Sequence, residues 1–239
     1  MQLFYHNIQA KEHDVFQLDA EESRHLIKVL RKKNGDEVLV TNGKGHLLEC
    51  EVNSENSKKA ELKVIRLVEK PKQRDYYLHL YIAPTKTNDR FEFFLEKATE
   101  IGIDEITPLV CEHSERKKIK SERYQKILVS AMKQSLQFHL PKLNDLTPFS
   151  EALQQIESGM NFVAHCEEEE QKKFLFSELD SNSNKQINIL IGPEGDFSPS
   201  EIGLAKSYKF IPVSLGKNRL RTETAGVFAV QQVATKFES

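Results

Sequence analysis

Residues 187–227 read INILIGPEGDFSPSEIGLAKSYKFIPVSLGKNRLRTETAGV. An apolar run from Ile187 to Ile191 stops at Gly192-Pro193-Glu194-Gly195. A second, from Phe210 to Leu215, stops at Gly216-Lys217-Asn218-Arg219-Leu220-Arg221. Short apolar runs bounded by turn residues have the signature of buried strands. Each glycine loop then leads into a helix start. Ser198-Pro199-Ser200-Glu201 has the spacing of a capping box, with proline at the first helical position, where no donor is needed. Thr222 is the expected N-cap of a last helix that buries Ala225, Phe228, Ala229 and Val233. Two strand–loop–helix units side by side open a crevice at the carboxyl ends of their strands, where open α/β sheets take ligands. The plainer reading is a pair of turns, since Gly-Pro and Glu-Gly often mark no more than that.

Upstream, strands and helices alternate back to Tyr76. Strands are expected at 76–83, 105–110 and 161–165. Helices are expected at 88–101, 121–138, 151–156 and 174–179. In the first helix Phe91, Phe94, Leu95, Ala98 and Ile101 form one stripe, and Gly102 ends it. Such alternation implies a parallel sheet. The acidic run Glu167 to Glu170 reads as a solvated loop and helix start. The polar, proline-containing stretch 69–75 is the best boundary, giving domains 1–72 and 73–239. The first is β-rich, with short runs at 3–5, 37–41, 47–52 and 61–67 separated by the turn signals Asn34-Gly35-Asp36 and Asn42-Gly43-Lys44-Gly45, the pattern of a small barrel. One helical insert, Glu21 to Arg31, interrupts it, with His25, Val29 and Leu30 spaced for one face. In 21–34 five basic residues (Arg24, Lys28, Arg31, Lys32, Lys33) oppose two acidic ones, a net +3. A charge run of this kind is a solvated face or a phosphate-contact strip.

The chain has 239 residues and a formal net charge of -2, so any polyanion contact must come from local patches. Cys50, Cys111 and Cys166 form no C-x-x-C pair, which argues for a reducing compartment and against a zinc site. No run reaches membrane-span length and the N-terminus lacks a signal-peptide pattern, so the expected location is cytoplasmic, without membrane or metal. Walker, dinucleotide-fingerprint, zincin and nucleophile-elbow motifs do not occur. What remains is two glycine loops, whose backbone groups can pair with an adenine edge or a carboxylate, and an R-L-R-T-E-T segment entering a helix. There Arg221 and Glu223 put a cation and a carboxylate close together. Their plain role is a surface ion pair.

GPEGDFSPSEI with LGKNRLRTETAG resembles the SPOUT class of methyltransferases, and more closely the family that methylates uracil N3 in small-subunit (16S) ribosomal RNA. His25-Leu26-Ile27-Lys28-Val29-Leu30-Arg31 with Gly35-Asp36 resembles that family's PUA-like barrel. Lys86, Arg90, Lys97, Glu100 and Gly102, with Ile106-Thr107-Pro108, resemble a further segment of it. The resemblance spans nearly the whole chain. It implies an α/β SPOUT-type parallel sheet with a deep trefoil knot after a small β-barrel, S-adenosyl-L-methionine as cofactor, ribosomal RNA of the small subunit as partner, and a homodimer whose interface completes the site. It puts the cofactor against His165, Ile191, Gly192, Pro193, Glu194, Gly195, Leu215, Gly216, Leu220 and Thr222. Arg24, Lys28, Arg31, Lys32, Lys86 and Arg90 become substrate contacts. Arg221 becomes the catalytic cation, and Glu223 the group that orients it or takes the proton. Two departures stand out. The family's Gly-Gly at the end of the first loop is Gly195-Asp196 here, and its Glu-Gln-Ser/Cys-Gly-Arg is Lys133-Gln134-Ser135-Leu136-Gln137, where Lys133 offers a partial replacement for the lost cation. Methylation of a ribose 2′-OH or of guanine, and a non-catalytic RNA-binding relative, remain open at this stage.

Overall fold

The computed structural model describes residues 2–156, 159–167, 172–180 and 185–238. Beyond Glu167, the acidic run expected at 167–170 lies outside the described residues. The chain forms two compact units, Met1–Gln73 with Val129–Leu140, and Arg74–Leu128 with Pro141–Ser239. The sequence reading gave all of 73–239 to the second domain; residues 129–140 instead join the first.

In the first unit, β1 (Leu3–Tyr5), β2 (Val15–Gln17), β3 (Glu37–Thr41), β4 (His46–Ser54) and β5 (Glu61–Glu69) form a sheet in the order β1-β3-β4-β5-β2. Its inward residues, among them Phe4, Phe16, Val40, Leu48, Leu62 and Val64, make one core with Leu26 of the helical insert. The stacked rings of His6 and Phe16, 5.1 Å apart, link the two edge-strand regions. α1 (Ala20–Arg24) starts at Asp19, whose carboxylate accepts from the N–H groups of Glu21 and Glu22 at 2.9 and 2.8 Å. The helix then widens into a π-helical turn over His25–Val29, and Arg31 closes it with φ +56°. The wider turn shifts the phase of the faces. Glu22 and Ser23 of α1 and Leu26 are buried, while Val29, expected inside with His25 and Leu30, comes out of the widened turn 64% exposed.

Residues 129–140 complete this unit. Gly45 N–H donates to the Phe138 carbonyl and Leu140 N–H to the Gly43 carbonyl. The helix expected to reach Phe138 stops at Gln134, because Leu136 turns left-handed at φ +57°. The Lys133 ammonium pairs with Glu22. It is thus committed to a carboxylate and does not replace the missing cation.

The second unit contains β6 (Tyr77–Ile82), α2 (Asn88–Ile101), β7 (Glu105–Val110), the start of α3 (Ser121–Gln134), β8 (Lys142–Leu143), β9 (Thr147–Pro148) and α4 (Phe149–Gln155). It continues through β10 (Met160–Ala164), β11 (Lys173–Phe174), α5 (Leu175–Glu178), β12 (Gln186–Ile191), α6 (Pro199–Ser207), β13 (Ile211–Ser214) and α7 (Thr222–Glu238). The sheet order is β11-β13-β10-β12-β6-β7-β8, with β9 also on β7, and every ladder is parallel. The segment expected to be helical from Phe174 begins as β11, because Lys173 and Phe174 pair with β13.

After β12 the chain crosses over β10 to reach β13 and then returns, as α7, to pack against α2, β6 and β12. That return passes the end of β12, where Thr222 Oγ1 donates to the Gly192 carbonyl at 3.1 Å. It is the path of the knotted SPOUT sheet. Gly226 makes the approach possible: a Cβ there would lie 2.7 Å from Ile82 Cδ1 and from the Phe94 ring. Ala229 and Val233 are buried as expected, with Val230 beside them. Phe228, expected in the core, is 43% exposed, because the close Gly226 contact turns the buried stripe away from it. Among the described residues no helix is long and apolar enough to cross a membrane.

Candidate functional site

The carboxyl ends of β10, β12 and β13, with the loop into α7, enclose a cleft of about 620 Å³. That lies within the roughly 300–1,000 Å³ typical of small-molecule sites. Nine of the ten expected cofactor residues line it: His165, Ile191, Gly192, Pro193, Glu194, Leu215, Gly216, Leu220 and Thr222. Gly195 does not. A Cβ there would stand 3.0 Å from His113 Cβ, on the far side of the loop. Arg221 lines the cleft and Glu223 does not. Sequence reasoning missed Cys166, Lys172, Asp196, Val213, Lys217 and Arg219 as lining residues. The strand order would have found Cys166, since β10 lies between β12 and β13 and its end must open into the same crevice.

The first loop is held from several elements. The Glu194 carboxylate accepts from Lys86 N–H at 2.8 Å. His113 Nδ1 lies 3.1 Å from both the Gly195 and Asp196 carbonyls, and so donates between them. Asp196 takes φ +64°, and its N–H donates to the Pro193 carbonyl at 2.9 Å. Its Oδ2 accepts from Cys166 N–H at 2.6 Å and its Oδ1 from Phe197 N–H at 2.8 Å. The capping box forms as its sequence requires, with Ser198 Oγ accepting from Glu201 N–H and Glu201 Oε2 from Ser198 N–H. The two loop glycines serve different ends. A Cβ on Gly192 would press on Phe197 at 3.1 Å, so that glycine allows the turn to close. Gly216 has nothing within 4 Å, so it leaves cleft space open.

The charges are unevenly distributed. Lys172, Lys217, Arg219 and Arg221 line the cleft, and Lys172 Nζ donates to the His165 and Glu167 carbonyls. Arg221 is exposed and makes no ion pair among the described residues. The expected contact with Glu223 is not formed. Glu223 is buried, with Oε1 3.8 Å from Arg90 Nε and Oε2 without a hydrogen-bond partner among the described residues. The Glu223 carboxylate thus faces Arg90 and not Arg221. Lys86 is exposed, with its ammonium 2.8 Å from Glu115. Burial, and then the neighbouring Asp196 carboxylate, push the Cys166 thiol up from its ordinary value. In the first unit Arg24, Lys28 and Arg31 are exposed, and Lys32 Nζ donates to the Glu37 carbonyl at 3.1 Å. No cluster of three metal-binding side chains exists among the described residues.

A knotted parallel sheet with a glycine-loop cleft at its strand ends, in a chain that also carries a curled β unit, defines an RNA methyltransferase of the SPOUT class. Residues 72–234 match the family model described as an RNA methyltransferase domain, and residues 18–65 the model described as an RNA methyltransferase PUA domain. Ribosomal RNA small subunit methyltransferase E of Buchnera aphidicola subsp. Acyrthosiphon pisum is 30% identical over 91% of this chain and 87% of its own length. The enzyme of that name from Bacillus subtilis is 28% identical over 96% and 93%. A probable rRNA-methyltransferase from Porphyromonas gingivalis superposes with a TM-score of 0.91 at 36% identity, covering 100% of this chain and 99% of that one. The Neisseria gonorrhoeae ribosomal RNA small subunit methyltransferase E, crystallised with S-adenosyl methionine, gives 0.87 at 26% identity, with 98% and 97% covered. The chain belongs to the ribosomal RNA small subunit methyltransferase E family.

A second, polar cleft of about 580 Å³ lies on the sheet at β6, β7 and β8. His79 stacks on Tyr81 with ring centroids 3.8 Å apart, and its Nε2 is 2.7 Å from Thr107 Oγ1. Burial holds the imidazole down at about 4, against the pull of Glu105. Burial would raise Glu105, but hydrogen bonds from Lys142, Tyr77 and Asn144 outweigh it and bring the carboxyl to about 2. Of this network only Thr107 lies in a motif noted in the sequence, Ile106-Thr107-Pro108.

Proposed function

We propose that the protein transfers the methyl group of S-adenosyl-L-methionine to N3 of a uridine in small-subunit (16S) ribosomal RNA, acting as a homodimer. One observation carries the reading: the Arg221 guanidinium, which makes no ion pair among the described residues, faces a cleft built from two glycine loops in a chain of this family. The residues present suit the cofactor. Ile191, Val213, Leu215 and Leu220 offer apolar walls to a flat base, Gly216 leaves room beside the backbone, and Lys172 and Arg219 offer cations to a carboxylate. When bound, the cofactor supplies an electrophilic methyl group.

The chain's own residues do the rest. N3 of uracil is buried in a base pair, so the base must be unpaired or flipped to reach the cleft. As N3 loses its proton, negative charge spreads to the flanking carbonyl oxygens. The planar Arg221 guanidinium stabilises that charge more in the transition state than in the ground state. Glu223 does not line the cleft, so as the proposed proton acceptor it acts through a water or a side-chain movement; its Oε2 has no hydrogen-bond partner among the described residues and its Oε1 lies 3.8 Å from Arg90 Nε. Arg90 and Lys86 contact the substrate near the site, and Arg24, Lys28, Arg31 and Lys32 hold phosphates.

Mass mapping of small-subunit ribosomal RNA from cells with and without the protein tests this. The expected result is loss of one N3-methyluridine. Loss of a methylated ribose or guanine instead, or no change together with no calorimetric binding of S-adenosylmethionine, would refute it.

A further inference from the structure

We infer that Asp196 is a positioning residue that ties the two walls of the cofactor cleft together, and does more than serve the left-handed turn it occupies. The inference rests on the cofactor reading given above. At φ +64° the turn would be easiest for glycine, and an aspartate there bears some backbone strain. The carboxylate has a use that glycine lacks. Its Oδ2 accepts at 2.6 Å from the N–H of Cys166, just past the end of β10, and its Oδ1 accepts at 2.8 Å from Phe197 N–H, in its own loop. One side chain thereby joins the loop after β12 to the end of the neighbouring strand, and Cys166 and Asp196 both line the cleft. Hydrogen bonds to an ionised acceptor are about twice as strong as neutral ones. From the opposite side His113 holds the Gly195 and Asp196 carbonyls at 3.1 Å. The loop is clamped between the β7–α3 connection and β10, so the cleft is set before a ligand arrives. A site set in advance binds more tightly, because less ordering remains to be done.

The deciding variants are Asp196→Gly and Asp196→Asn. Glycine relieves the strained φ and removes the bridge. Asparagine tolerates the left-handed region and keeps one acceptor oxygen. Amide hydrogen exchange at Cys166, in protein without cofactor, reads the bridge directly. Calorimetry with S-adenosylmethionine and single-turnover kinetics read its effect. The expected result is faster Cys166 exchange in Asp196→Gly and a cofactor Kd weaker by roughly tenfold, equivalent to about 1.4 kcal/mol. KM for cofactor should rise more than kcat falls, and Asp196→Asn should lie between. Parental exchange and affinity in Asp196→Gly would overturn the inference and leave Asp196 as a turn former only. If the parent binds no S-adenosylmethionine, the cofactor reading fails, and the Cys166 exchange still decides whether the bridge exists.

Discussion

Replacing Arg221 by alanine separates a catalytic cation from a decorative one. The side chain is exposed, lines the cleft and has no ion pair among the described residues, and the residue's carbonyl accepts from Ala225 N–H at 2.7 Å whatever the side chain. No buried contact is lost, so folding stability should stay within about 0.5 kcal/mol of the parent. A cation aimed at a developing oxyanion is a different matter. Removing one oxyanion donor typically slows turnover about 10²- to 10³-fold, or about 2.7–4 kcal/mol. The rate effect should thus exceed the stability effect by several-fold in free energy. Single-turnover methyl transfer at saturating RNA and cofactor excludes binding defects, and a calorimetric cofactor titration checks that exclusion. Arg221→Lys should recover only part of the rate, since lysine lacks the planar fork. In the same assay Glu223→Gln should be slow at neutral pH and recover as pH rises and N3 ionises unaided. Near-parental rates in Arg221→Ala would remove the residue from the chemistry.

Three further outcomes are expected. Gly216→Val should abolish cofactor binding with an unchanged melting temperature, because nothing lies within 4 Å of the new Cβ except cleft space; retained affinity by calorimetry would move the cofactor elsewhere. Replacing Arg24, Lys28, Arg31 and Lys32 by Gln should weaken RNA binding and flatten the slope of log affinity against log salt by up to roughly 0.7 to 0.9 per lost contact. A parental slope would leave the strip a solvated face. His79 is held at about 4, below its ordinary 6.5, so between these values the unfolded chain binds a proton that the folded chain does not. Its contribution is complete above pH 6.5 and is lost as pH falls toward 4, up to about 3 kcal/mol at about 1.4 kcal/mol per pH unit. Denaturant melts should show His79→Gln with a flatter stability profile across that window. Glu105, at about 2 against an ordinary 4.5, adds a loss of its own in the same direction as pH falls through 4.5, so the comparison of parent with His79→Gln, not the parent profile alone, reads the histidine.

Much of the second unit was legible because its signals are local. The stripe Phe91, Phe94, Leu95 and Ala98 is wholly buried, and α2 starts at Asn88 and ends before a left-handed Gly102, as its spacing and cap demand. The Ser198 capping box is a four-residue pattern with one geometric solution. Apolar runs that end in glycine marked both strands of the cleft. Periodicity failed where a regular repeat was broken. The π-helical turn at His25–Val29 exchanged the faces of the insert, and the left-handed Leu136 ended α3 early.

The rest was hidden because it depends on partners remote in sequence. Arg221 and Glu223 are two residues apart, and adjacency suggested a pair. On a helix start, positions i and i+2 point different ways, and Glu223 turned to Arg90, 133 positions earlier. Lys133, read as a spare cation, met Glu22, 111 positions away. Gly195 and Asp196 show the same limit most sharply. The sequence marks the glycine as the residue with room beside it, yet that room faces His113, and it is the aspartate that lines the cleft and reaches Cys166. A sequence motif reports which backbone shape a loop adopts. Which side of that shape meets the ligand is decided by the strand order, here by β10 lying between β12 and β13.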